Sequence, residues 1–145
     1  TKEQAVAIVH DFYRSEEFDR ILPVERAQDV IGQLSGEHDL IAITFRPSFI
    51  GPKTENSLRR YFSNHIGEVV LNGQYNVQSS SMDKSGFCLS RGIDFILEDH
   101  LEVCVKCAER GITTFLFDRP WNQTDAEYLG VTRIKHWNEI LQNLK

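Results

Sequence analysis

"IDFILEDHLEVCVKCAERGITTFLFD", residues 93–118, decides how the chain folds. Two short apolar runs, at 95–97 and 115–117, flank a segment where Leu101, Cys104, Val105 and Ala108 recur at helical spacing. Gly111 closes that segment, as a residue suited to a left-handed helix stop. Strand, helix and strand in this order form the unit that joins parallel strands. The first run ends on adjacent carboxylates, Glu98 and Asp99, followed by His100.

The same alternation extends outward. Downstream, residues 119–130 read as a loop, "VTRI" as a short extended piece, and the end as a helix with Trp137, Ile140, Leu141 and Leu144 inward. Upstream, a short helix ending at Gly92 precedes the quoted stretch, and before it "GQYNVQSSSMDKSG" is polar and loop-like. "EVVLN" reads as a strand. Residues 54–62 read as a helix with Leu58, Tyr61 and Phe62 inward. The continuous apolar run 40–45, bounded by charge and by Pro47, predicts a strand covered on both faces. A helix opening at Pro23 and stopping at Gly36 places Ala27, Val30, Ile31 and Leu34 on one face. Residues 3–14 predict another, with Ala5, Ile8, Val9 and Phe12 inward; a strand reading of "AVAIV" is the alternative. The whole predicts an α/β sheet with helices on both faces, and no repeat or internal linker.

A chain of 145 residues is long enough for a real core. Its net charge of −5, without a basic block, argues against nucleic acid as a partner. No apolar run approaches the roughly 20 residues that cross a bilayer, and no signal-peptide pattern opens the chain, so no membrane partner is expected. Three cysteines, an odd and small number, suggest reduced thiols and a cytoplasmic location. Cys104 and Cys107 form a C-x-x-C, but no second Cys/His pair stands at ligand spacing. They read as helix-face cysteines that pack as small hydrophobes. The five histidines are scattered singly, and no Ser-His-Asp or Cys-His arrangement has a strand–turn–helix context.

Ligands of such sheets bind beyond the carboxyl ends of the strands. "AITFR" delivers Thr44 and Arg46 there, "FILED" delivers Glu98 and Asp99, and "SSSMDKS" delivers Lys84. A hydroxyl, an ammonium and a pair of carboxylates are the parts that hold a phosphate together with a hard cation such as Mg²⁺. Each part also has a plainer reading: acids end strands where the chain leaves the core or starts a helix, Thr44 is β-branched, and Lys84 starts a helix. Their joint order favours the functional one. Arg46 reads equally as a phosphate contact or a solvated strand-end residue. Trp121 is expected to close the core edge rather than stack a base, and Asp118 to turn the chain through an Asx-type bond. Phe49, Tyr75 and Tyr128 are candidates for lining a nucleobase pocket.

In that order and context the sequence resembles the haloacid dehalogenase-like (HAD) superfamily, and within it the 5′-nucleotidase or 5′(3′)-deoxyribonucleotidase-like branch. "ILPVERAQDVIGQLSGEHDLIAITFRP" is similar to that branch's cap-to-core helix and second core strand. "DFILEDHLEVCVKCAERGITTFLFDRPWN" is similar to its fourth motif, with two acids after a hydrophobic strand, then a helix, a strand and Pro-Trp-Asn. The resemblance implies a Rossmann-like HAD-type three-layer sandwich with a mostly parallel sheet, a single domain over residues 1–145. Residues 1–22 would be a remnant of a cap or linker helix and 23–145 the core. It implies phosphate binding by Thr44, Arg46 and Lys84, and Mg²⁺ binding by Glu98 and Asp99. The activity implied is Mg²⁺-dependent hydrolysis of a phosphorylated small molecule, such as a nucleotide.

Members of the superfamily open with a hydrophobic strand ending in Asp-x-Asp, whose first Asp takes the phosphoryl group. This chain holds no Asp-x-Asp; "VAIVHDFY" offers only Asp11. Covalent phosphoryl transfer needs an in-line carboxylate, so little or no turnover is expected. The central first strand of the sheet is expected to be lacking or replaced. Three arrangements are open: the chain, which begins at Thr, is a shortened piece of a longer enzyme; "AVAIV" or a strand from a second copy fills the gap, as in a homodimer; or the protein is a natural, catalytically silent relative. The rival from another class is a non-catalytic binding or interaction module on the same scaffold.

Overall fold

The apolar runs become strands and the helical spacings become helices in the computed structural model, which describes residues 1–71 and 83–144. Every strand pairing among them is parallel, giving an α/β fold. The chain falls into two compact units, Thr1–Gln74 and Tyr75–Lys145.

The first unit begins with helix α1 (Lys2–Arg14), where the Thr1 hydroxyl accepts from the Gln4 amide. "AVAIV" therefore lies in a helix and supplies no strand. The expected inward face of α1 is a correction: Ile8 is 70% exposed, and Val9 and Phe12 are exposed too. What α1 packs on is α2 (Glu16–Asp19), a short helix the periodicity is too brief to reveal. Its buried Phe18 meets the rings of Phe12 and Tyr13 edge-on.

Helix α3 (Ala27–Leu34) buries Ala27, Val30, Ile31 and Leu34, as the spacing predicts. It does not open at Pro23; Arg26, in the left-handed region at φ 66°, precedes its first residue. Strand β1 (Ile41–Thr44) runs parallel to β2 (Glu68–Leu71), with Thr44 opposite Leu71. All four β1 residues are half-buried rather than covered on both faces, and among the described residues β1 pairs only with β2. Between them a 3₁₀ turn (Ser48–Ile50) leads into α4 (Gly51–Phe62), which packs on α3. Leu58, Tyr61 and Phe62 of α4 are half-buried, and its buried positions are Gly51 and Thr54. A methyl group on Gly51 would stand 2.7 Å from Leu71 Cδ1, so a larger residue there obliges the tip of the Leu71 side chain to move.

The second unit holds α5 (Lys84–Ser90), β3 (Phe95–Glu98), α6 (Leu101–Ala108), β4 (Thr113–Phe117), β5 (Val131–Ile134) and α7 (Asn138–Asn143). Its strands form a sheet in the order β3-β4-β5, with Glu98 opposite Leu116 and Phe117 opposite Ile134. The middle strand is the one covered on both faces: Thr114, Phe115, Leu116 and Phe117 are all buried. Helix α6 lies along the strands, burying Cys104 and Cys107, while Val105 and Ala108 are half-buried. Gly111 follows at φ 79°, the left-handed stop the sequence predicts. Helix α7 seals the unit through Ile140, and the Trp137 ring lies 5.0 Å from that of Phe117. No helix among the described residues is long and apolar enough to cross a membrane.

Candidate functional site

The carboxyl end of β3 carries the densest chemistry in the second unit. Asp83 caps α5 by accepting the Gly86 amide at 2.9 Å, which places Lys84 on the first helical turn. From there the Lys84 ammonium donates to Glu98 Oε2 at 2.5 Å. Both side chains are almost out of water, with relative exposures of 6% and 10%. The second Glu98 oxygen, Oε1, accepts the backbone amides of Asp99 at 3.0 Å and His100 at 3.3 Å. Glu98 therefore neutralises a buried cation and fixes the turn from β3 into α6.

Electrostatics divides the two carboxylates. Burial pushes Glu98 upward, but the Lys84 charge and the hydrogen bonds to Lys84 and Asp99 outweigh it and hold the group below its ordinary value. Asp99 goes the other way: partial burial raises it, and the Glu98 carboxylate beside it raises it further, against a weaker pull from Arg119. A divalent cation would relieve that crowding. Its hard oxygen donors would be the Asp99 carboxylate and Glu98. Glu98 can join only by loosening its hold on Lys84, and among the described residues no group of three or more His, Cys, Asp or Glu side chains is gathered to hold a metal ion.

A buried amide fixes where Asp99 stands. Asn122 Nδ2 donates to the carbonyls of Asp99 (2.8 Å) and Phe117 (2.7 Å), tying the ends of β3 and β4. Its Oδ1 accepts from the Arg119 amide (3.1 Å) and from Arg133 Nη1 (2.8 Å). All the hydrogen-bonding capacity of a primary amide is thus used. Arg133, from β5, also pairs with Asp118 at 2.8 Å, so Asp118 is an ion-pair partner rather than the Asx turn expected. Trp121 does not close the core edge either: it is 67% exposed, and its neighbour Asn122 is the buried residue. The sequence offered "PWN" after a strand as a signal, but nothing in it marks Arg133 as the partner of that turn.

The three thiols lie beneath this corner, all fully buried and unpaired by disulfide, as packing residues. Burial, with Glu98 adding to it, pushes the Cys104 thiol up to about 12.

In the first unit, Thr44 ends β1 and its hydroxyl oxygen accepts the Arg46 amide at 3.2 Å. The Arg46 guanidinium lies over the Phe18 ring, 4.9 Å from its centroid, and donates to the buried Thr54 hydroxyl at 3.4 Å. Arg46 is thus packed rather than simply solvated, and burial lowers its pKa. Asp11 is exposed on α1, 3.5 Å from Arg14, in no nucleophile setting. Phe49, 46% exposed, has the Arg14 guanidinium over its ring and His10 against its edge. Tyr128 is an exposed residue of the second unit, and Tyr75 lies outside the described residues. The structure thus brings Thr44 and Arg46 together in one unit, and Lys84, Glu98 and Asp99 in the other.

No protein-family model matches the chain, and no curated protein is significantly similar to it.

Proposed function

We propose that the chain is a haloacid dehalogenase-like scaffold of the 5′-nucleotidase branch that keeps phosphate- and cation-binding groups and lacks the Asp-x-Asp nucleophile. The observation that carries this reading is the buried Lys84 ammonium set against Glu98 at the carboxyl end of a parallel strand, with a second acid next to it. A buried ion pair is weak support for stability by itself, since desolvation offsets much of its attraction. Its retention at a strand end, where ligands of such sheets bind, fits a binding role. In this reading Lys84 offsets phosphate charge in the second unit. Mg²⁺, held by Asp99 and Glu98, would supply charge neutralisation. No residue here takes the phosphoryl group.

Turnover of an aryl phosphate and of nucleoside monophosphates, with and without Mg²⁺, tests this. The expected result is no Mg²⁺-dependent release above background; robust hydrolysis by the 145-residue chain contradicts it.

A second reading, a binding or interaction module that has given up the cation, is favoured by one observation: Glu98 already satisfies both oxygens within the protein. Thermal unfolding separates the two. Mg²⁺ with phosphate raises the melting temperature if the ligand groups are retained, and leaves it unchanged if only the scaffold is. The homodimer form of the proposal, in which a second copy adds a strand, requires a dimer mass in solution.

A further inference from the structure

Three thiols share one dry seam of the second unit, each with a relative exposure of 0%. Cys88 lies on α5, and Cys104 and Cys107 lie on α6, which packs against it. In letters, the C-x-x-C spacing singles out Cys104 and Cys107 as the pair. The fold selects another. The Cys88 thiol donates a hydrogen bond to the Cys107 sulfur, so sulfurs from two different helices are in direct contact.

A lone buried cysteine is inert packing. Two touching sulfurs differ from it, because when one is oxidised its reaction partner is already in place. Their surroundings also tell the two apart. The hydrogen bond from Cys88, helped by the positive charges of Arg110 and Lys84, draws the Cys107 thiol below its ordinary value, against burial and the Glu98 charge. The same hydrogen bond, together with burial, holds Cys88 above its own. Cys107 is therefore the nucleophile of the pair, and Cys88 carries the proton.

Cys88 stands four residues after Lys84 on α5, one turn along the same helix face. Cys107 belongs to the helix that begins just after Glu98 and Asp99. A bond between the two sulfurs would fasten α5 to α6 one turn from the buried Lys84–Glu98 pair.

We propose that Cys88 and Cys107 are a reversible dithiol–disulfide site, oxidised by hydrogen peroxide and restored by small thiols. The Cys107 thiolate attacks one peroxide oxygen; the O–O bond breaks, hydroxide leaves, and Cys107 becomes a sulfenic acid. The Cys88 sulfur gives up its proton, attacks the Cys107 sulfur and displaces a second hydroxide as the S–S bond forms. The two thiol protons and the two hydroxides make two waters, so the thiols lose two electrons and the peroxide gains them. A reducing thiol reverses the change by exchange through a mixed disulfide. Local opening of the seam admits both reagents.

The test exposes the reduced full chain to hydrogen peroxide, alkylates the remaining thiols in denaturant, and maps the digest by mass spectrometry. The expected product is a single chain that has lost two hydrogens, with a peptide cross-linked through Cys88 and Cys107 and with Cys104 alkylated. Dithiothreitol should restore all three thiols, and Cys104→Ala should form the same cross-link. A cross-link through Cys104 overturns the proposal, as does oxidation of Cys107 to sulfinic acid without a cross-link. Survival of all three thiols at a peroxide dose that oxidises the urea-unfolded chain overturns it too, as does a folded Cys104→Ala that forms no cross-link.

Discussion

Lys84 and Glu98 give up most of their hydration to face one another, and removing either leaves the other charged in a dry place. Lys84→Met should therefore cost about 3–5 kcal/mol in denaturant unfolding at pH 7, as for other broken buried pairs. The penalty should shrink in acid. Glu98 is held below its ordinary value of 4.5 in the folded protein, so its stabilisation is present above that value and fades as the pH falls through the folded one. Asp99 carries the opposite sign. Its folded value is raised above 3.8, so its contribution is favourable below that value and is lost as the pH rises and the group ionises beside Glu98. Asp99→Asn is expected to raise the melting temperature at pH 7, the gain vanishing in acid, and Mg²⁺ should stabilise the native chain but not this variant. The acids and the lysine were legible because charge at a strand end is a local signal. Asn122 and Arg133 were not: their partners lie up to 23 and 15 residues away, and only the fold brings them together. The same distance hid which of Trp121 and Asn122 points inward, because long-range hydrogen bonds orient that turn and hydrophobicity does not.

Helix α6 and its neighbours show what periodicity can and cannot say about an element. The βαβ stretch was readable because each strand is a short apolar run and the helix ends at a glycine in the left-handed region. Gly111→Ala should cost about 1–2 kcal/mol on the conformational penalty alone, since a Cβ there meets open space. Amphipathic spacing located α1 correctly, yet an apolar face identifies no partner, and this one stays exposed. Ile8→Lys is accordingly expected to change unfolding free energy by no more than about 0.5 kcal/mol. Ile140→Ala, in a fully buried position on a helix of only six residues, should cost about 2–5 kcal/mol. Length and spacing alone would have ranked the two helices the other way. The strand expected within residues 40–45 forms as Ile41–Thr44, but the cover on both faces that its continuous apolar run predicts does not: all four residues are half-buried.

On the scale of the molecule, parallel strands in the orders β1-β2 and β3-β4-β5 carry the polar groups at their carboxyl ends, as α/β architecture dictates. That the chain holds no Asp-x-Asp is legible in its letters. That Glu98 spends both oxygens inside the protein is visible only in the fold. The most direct test is a calorimetric titration of the full chain with inorganic phosphate in the presence of Mg²⁺, repeated on Lys84→Gln. Saturable binding that disappears in the variant is the expected result. No binding by the native chain, or the same affinity in folded Lys84→Gln, would contradict the assignment of this corner as a phosphate site.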